Sequence, residues 1–178
     1  PSGVDAKLTD STQLSKLLRT QDVVLFQPTF YASNLQARVD ILKVGEDGLH
    51  IYEVKGSTSK DTPKEDNLWD AGFQKEVIER AAHIVSKVFL VVLNKDFIKD
   101  GPIIPSEIFV IRDITQEIFD NHIEVKMEIA IAQKRLIDLT PPTSCECYYK
   151  IRNKHCQSFK HFYTLPDYTV HDITLISR

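Results

Sequence analysis

The residues best suited to chemistry are gathered in one short stretch, where Asp40, Glu53 and Lys55 flank the tetrapeptide Gly45-Glu46-Asp47-Gly48. From Gln36 to Lys55 the sequence alternates around that tetrapeptide, which predicts two β-runs joined by a turn. A turn symmetric about Gly45 and Gly48 sets Val44 opposite Leu49 and, counting outward, Asp40 opposite Glu53. Residues two apart on a strand share a face, so Lys55 lies beside Glu53, while Val39, Ile41, Tyr52 and Val54 are expected on the opposite, apolar face. Opposed carboxylates repel unless a cation or a proton compensates them, and hard oxygen ligands of this kind suit Mg²⁺ or Mn²⁺. The competing reading is a solvated sheet face on which Lys55 and Arg38 neutralise the two acids as surface ion pairs.

A second group of chemically capable residues is the trio Cys145, Cys147 and Cys156. An odd number in one short window argues against a disulfide framework and for a ligand cluster. Three thiolates do not close an iron–sulfur cluster, which takes four, and zinc would need His155 or His161 in addition. Reduced, partly buried thiols are the plain alternative. His50, His83, His122 and His171 are scattered and suggest no shared site.

These groups need a scaffold. Ser11 to Arg19 predicts a short amphipathic helix and Asp22 to Phe26 a strand. Gly56 to Asp66 reads as a loop. Asn67 to Ser86 follows as a helix with Leu68, Phe73, Val77, Ile78, Ala81, Ile84 and Val85 on its apolar face. The run Lys87 to Leu93 predicts a buried strand, Glu107 to Ile111 a further strand, and Thr115 to Leu139 one long helix with Ile118, Phe119, Ile123, Met127, Ile131 and Leu136 inward. Pro141-Pro142 ends it. The resulting class is α/β in the order α-β-β-β-α-β, a mixed central sheet flanked by helices, followed by a strand, a C-terminal helix and a Cys-containing tail. Residues 1–114 form the expected core, with 115–178 packed on it in the same domain.

The 178 residues, 42% of them hydrophobic, suffice for one compact domain with its own core. With 22 Lys+Arg against 25 Asp+Glu the formal net charge is −3, so any nucleic-acid binding must be local. No apolar run approaches the ~20 residues of a membrane helix and no signal-peptide pattern opens the chain, which suggests a cytoplasmic protein without a membrane partner. The opening Pro1-Ser2-Gly3 reads as a turn, as in a piece of a longer chain with further domains. No Gly-rich phosphate loop, nucleophile elbow or Ser/His/Asp constellation is legible.

Arg38-Val39-Asp40-Ile41-Leu42, the turn, then Ile51-Tyr52-Glu53-Val54-Lys55-Gly56-Ser57-Thr58 closely resembles the D…E-x-K signature of the PD-(D/E)XK nucleases. The element order is similar as well, since that superfamily has a restriction-endonuclease-like core. Asp70-Ala71-Gly72-Phe73-Gln74 resembles the D-x-x-x-Q segment of the RecB-like exonuclease branch, with Gln74 leaning over the metal site. Ile78 stands where that branch carries tyrosine, and no histidine precedes His50. Over nearly its whole length the chain resembles uncharacterised RecB-like proteins related to the CRISPR-associated iron–sulfur exonucleases. The resemblance implies a DNA nuclease, and an exonuclease involved in DNA repair in particular. Asp40, Glu53 and the Val54 carbonyl would hold Mg²⁺ or Mn²⁺, and Lys55 would position or activate the attacking water. It also implies a 4Fe–4S cluster on Cys145, Cys147, Cys156 and an upstream cysteine. The alternative is a catalytically inactive nuclease-fold module that binds nucleic acid or protein within a larger protein.

Overall fold

The structure is a computed structural model, and it describes residues 4–5, 11–20, 22–58 and 62–138. The chain divides into two compact units, Pro1–Ala132 and Gln133–Arg178, and nearly everything described belongs to the first. That unit is α/β, with a mixed central sheet flanked by helices.

In chain order the described elements are β1 (Val4–Asp5), α1 (Ser11–Leu17), β2 (Val24–Phe26), β3 (Thr29–Ala32), β4 (Leu35–Arg38), β5 (Ile41–Val44) and β6 (Leu49–Thr58). There follow α2 (Glu65–Arg80), β7 (Val85–Leu93), the single turn α3 (Pro105–Ile108), β8 (Phe109–Asp113), α4 (Thr115–Asp120) and α5 (His122–Ile137). The sheet order is β1-β2-β5-β6-β7-β8. β2, β5 and β6 are successively antiparallel, β6 and β7 run parallel, and β8 returns antiparallel to β7. A parallel pair cannot be joined by a tight turn, so α2 is the crossover between β6 and β7.

β3 and β4 were not foreseen. They form a separate hairpin, turned by Ser33 and Asn34 at φ 50° and 60°. Two consecutive left-handed residues match the right-handed twist of hairpin strands, and asparagine tolerates that conformation. The β-run expected from Gln36 is therefore broken at Val39 and Asp40, where the chain passes from the small hairpin into the main sheet. Two hydrogen bonds hold the transfer, Gln27 N–H to the Asp40 carbonyl at 2.9 Å and Val39 N–H to the Pro28 carbonyl at 3.0 Å.

The β5–β6 register is the expected one, with Ile41 opposite Tyr52 and Val44 opposite Leu49. At the turn Gly48 has φ 137° and its Cα hydrogen side lies against the Ile84 carbonyl, so a side chain there would be both strained and blocked. The faces differ from expectation. Leu42, Val44, Leu49 and Ile51 are buried on the same face as Glu53, beneath α2, and form the core with Val77, Ile78 and Val88. Ile41 and Tyr52 are only half-buried on the other face, where Tyr52 stacks on Phe89 at 4.7 Å, and Val54 is exposed. The acids therefore stand at the edge of the core rather than on a solvated face behind it.

Helix boundaries moved too. α2 starts at Glu65 and ends at Arg80; Ile84 is exposed and Val85 opens β7. Gly56, Ser57 and Thr58 belong to β6, not to a loop. The long C-terminal helix is two helices meeting at Asn121, and α5 buries Val125 and Ile129, while Ile123, Met127, Ile131 and Leu136 are exposed. Val125 packs where α2 has Gly72: a Cβ at Gly72 would lie 3.0 Å from Val125 Cγ2, so the missing side chain sets how closely α5 approaches. Among the described residues no helix is long and apolar enough to cross a membrane.

Candidate active site

Each group of the site is delivered by a different local rule. Asp40 is placed by the transfer between hairpin and sheet, one residue before β5, and its Oδ2 accepts the Val54 N–H at 2.9 Å. That bond lays the carboxylate of Asp40 along β6 beside Glu53, as the register requires. Glu53 and Lys55 follow on β6 with strand alternation. Directly after Lys55 the β6–β7 pairing slips, Lys55 facing Val92 and Thr58 facing Leu93. Such an irregularity bends a strand and re-aims the side chains beside it.

α2 crosses above this strand and contributes two residues one turn apart. Gln74 Nε2 donates to Glu53 Oε2 at 2.7 Å, and Asp70 Oδ2 accepts from Lys55 Nζ at 2.5 Å. Lys55 Nζ is also 2.5 Å from Glu53 Oε1. The structure thus brings together Asp40, Glu53, Lys55 and Gln74, the four residues singled out in the sequence, and adds Asp70. Sequence reasoning passed over Asp70 except as part of a pattern. The available signal was its spacing of four from Gln74, which puts both on one helix face.

The electrostatics follow from the burial. Glu53 is only 4% exposed. Burial pushes its carboxyl above the ordinary value of 4.5, the bonds from Lys55 and Gln74 pull the other way, and the charge of Asp40 pushes it up again. Burial alone would favour neutral Lys55, but its bonds to Asp70 and Glu53 win and hold the ammonium above its ordinary value. The result is two carboxylates sharing one ammonium, with a third acid in range. The Gln74 Oε1 atom is buried and has no hydrogen-bond partner.

Among the described residues no group of three or more His, Cys, Asp or Glu side chains stands ready to hold a metal ion. A cation would have to share Asp40 and Glu53 with a backbone carbonyl, water and substrate, which is the habit of Mg²⁺ and not of a protein-caged metal. The donor set fits such an ion: both side chains are hard oxygen ligands, and the rise that Asp40 imposes on Glu53 is the repulsion a divalent cation would relieve. Cys145, Cys147 and Cys156 lie outside the described residues, as do His155 and His161.

No family model matches the sequence, and no curated protein matches it. One solved structure, described as "Crystal structure of SSO0001", is similar with a TM-score of 0.31 and 13% identity over 63% of this chain and 55% of that chain. The chain therefore spans about half the length of that protein.

Proposed function

We propose that this chain is a metal-dependent phosphodiesterase that cuts nucleic acid, DNA in particular, on a restriction-endonuclease-like core of the RecB-like branch. The observation that carries the reading is the meeting of Asp40 and Glu53 at one hairpin end with Lys55 bonded to Glu53. Gln74 leaning onto Glu53 from the crossover helix supports it, as does the order α1-β2-β5-β6-α2-β7 that remains when the β3–β4 hairpin is set aside.

Asp40, Glu53 and the Val54 carbonyl would hold Mg²⁺ or Mn²⁺, which when bound supplies Lewis-acid polarisation of a phosphoryl oxygen and acidifies water. The chain's own groups do the remainder. Gln74 fixes the Glu53 carboxylate by its 2.7 Å bond, so that the buried acid meets its ligand in one orientation. Asp70 would remain as the acceptor of Lys55 if the oxygen of Glu53 were taken by a metal, which would keep the ammonium at the site. There it would offset negative charge accumulating on a phosphate under attack, and its two acids favour the protonated form that this needs.

The second reading is a nuclease-fold module that binds nucleic acid or protein without cutting. It is favoured by one observation, that Lys55 is ion-paired with Glu53 and with Asp70 at once. Calorimetric titration of Mn²⁺, together with a cleavage assay on single- and double-stranded DNA, separates the two. The expected outcome is Mn²⁺ binding and Mn²⁺-dependent cleavage by the wild type, both lost in Asp40→Ala. Unchanged metal affinity in Asp40→Ala removes the proposed site, and no cleavage by the wild type on either substrate leaves the binding module.

A further inference from the structure

The β3–β4 hairpin contributes no side chain to the candidate site, and its two faces differ in kind. Phe30 and Ala37 are paired across it and buried, on the side where α2 packs against both strands. Alternation sends the pairs Thr29–Arg38 and Tyr31–Gln36 to the other side. There Gln36 and Arg38 are exposed, and Tyr31 is 69% exposed, far more than any other aromatic among the described residues. The tight turn at Ser33 and Asn34 and the docked inner face hold this outer surface in one shape.

Its chemistry narrows what it can bind. From Gln27 to Val39 there is no aspartate or glutamate, although the chain as a whole has more acids than bases. The Arg38 guanidinium has neither an ion pair nor a hydrogen bond among the described residues, and the Tyr31 ring has no ring contact there. The two are diagonal neighbours across the ladder, roughly 7–8 Å apart at the backbone and within reach of a shared ligand. A protein partner would call for a wider apolar patch, whereas Thr29, Gln36 and Arg38 around the tyrosine are polar. An open aromatic face beside a free guanidinium fits an unpaired nucleotide, whose base stacks on the ring while a phosphate takes the parallel donors of the fork. A duplex keeps its base faces stacked inside and leaves Tyr31 nothing to stack on.

We infer that the outer face of the β3–β4 hairpin holds a single strand of DNA, with a base stacked on Tyr31 and a backbone phosphate on Arg38. The inference rests on the nuclease reading for the identity of the strand. Arg38 stands two residues before Asp40, so their backbones are at most about 7 Å apart. The phosphate on Arg38 therefore lies within a few nucleotides of the bond attacked at Asp40 and Glu53. Tyr31 and Arg38 are positioning residues: they select an unpaired strand and fix which part of it is held.

The test is binding of fluorescent oligonucleotides by the 178-residue chain in chelator, using one single strand that carries bases and one of equal length made of abasic sites. Tyr31→Ala should bind the base-bearing strand about tenfold more weakly and the abasic strand as the wild type does, while Tyr31→Phe keeps the wild-type affinity for both. Arg38→Gln should weaken binding to both strands and make a plot of log affinity against log salt less steep by about 0.7, the loss of one single-strand phosphate contact; Arg38→Lys restores the slope. Both side chains are exposed, so all four variants should unfold at the wild-type temperature. Wild-type affinity for the base-bearing strand in Tyr31→Ala, or a wild-type slope in Arg38→Gln, overturns the inference whether or not the protein cleaves DNA. A wild type that binds neither strand overturns it as well. The expected losses in a protein without Mn²⁺-dependent cleavage support the hairpin surface while the nuclease reading falls.

Discussion

Two groups of buried charge lie on or against α2, and they are built in different ways. Lys75 is paired with Glu79 at 2.7 Å and lies 4.3 Å above the ring of Phe119; Glu76 accepts from Arg80 at 2.7 Å and has Lys126 3.7 Å away. Glu79 and Arg80 are each four residues from their partner on the same helix, so local spacing supplies each charge with its opposite. Asp70 and Gln74, by contrast, meet Glu53 and Lys55 from another element, two acids compete for one ammonium, and an amide oxygen is left without a partner. Glu53 and Glu76 are almost equally buried, at 4% and 6% exposed. Burial by itself therefore says little about role; what distinguishes them is whether the surroundings satisfy the charge or strain it.

The sharpest way to break this contrast is at the two lysines. Lys55→Ala should slow Mn²⁺-dependent cleavage by about 10²-fold or more while metal binding survives, because a charge-stabilising group is lost at the reacting phosphate. Equal single-turnover rates for Lys55→Ala and wild type would remove Lys55 from the chemistry.

Next comes the same chemical change at the two buried glutamates, with opposite signs expected. Burial raises the carboxyl of Glu53, so the folded state holds its proton more tightly than the unfolded state does. Ionised Glu53 thus opposes folding, increasingly as pH rises above the ordinary value of 4.5, and not below it. Glu53→Gln should therefore abolish cleavage yet stabilise the fold by about 1 kcal/mol at about pH 8, with the gain fading toward about pH 4. Glu76→Gln gives up its pairs with Arg80 and Lys126 and should destabilise by about 1–2 kcal/mol with cleavage unchanged. Urea melts of both variants at the two pH values decide the matter, and a shared sign would erase the distinction between the clusters.

The smallest effect belongs to Lys75→Met. It keeps the methylene packing against Phe119 and removes a charge whose partner, Glu79, is partly open to water. Stability should change by less than ~1 kcal/mol and cleavage not at all. A loss of activity in this variant, seen in the same cleavage assay, would extend the reactive region to a flank of α2 where none is expected.

The site was readable in the sequence as far as it depends on local geometry. The turn at Gly45 and Gly48 fixes a register by counting, and Asp40, Glu53 and Lys55 follow from it. Asp70 did not, because its role depends on where α2 crosses the sheet, which no local rule sets. The helix face was misjudged for a related reason: periodicity treats Gln74, Lys75 and Glu76 as solvated, whereas all three are buried by partners supplied in the fold. The β3–β4 hairpin escaped because Ser33-Asn34 is a weaker turn signal than Asn-Gly. In the C-terminal helices the break at Asn121 carries neither Gly nor Pro to announce it. Two apolar stripes compete along α5, and the sequence offered no way to prefer the one with Val125 and Ile129.

The parallel pairing of β6 and β7 also orders events in time. Between Thr58 and Val85 the chain must cross over before α2 can rest on the sheet, and the entropy of closing that connection is spent before its contacts form. The β5–β6 hairpin needs no such closure and can assemble from neighbours in sequence. An unfinished chain can therefore present Asp40 and Glu53 with neither Gln74 to orient the buried acid nor Asp70 to hold the lysine. The candidate site is therefore complete only when the crossover has docked.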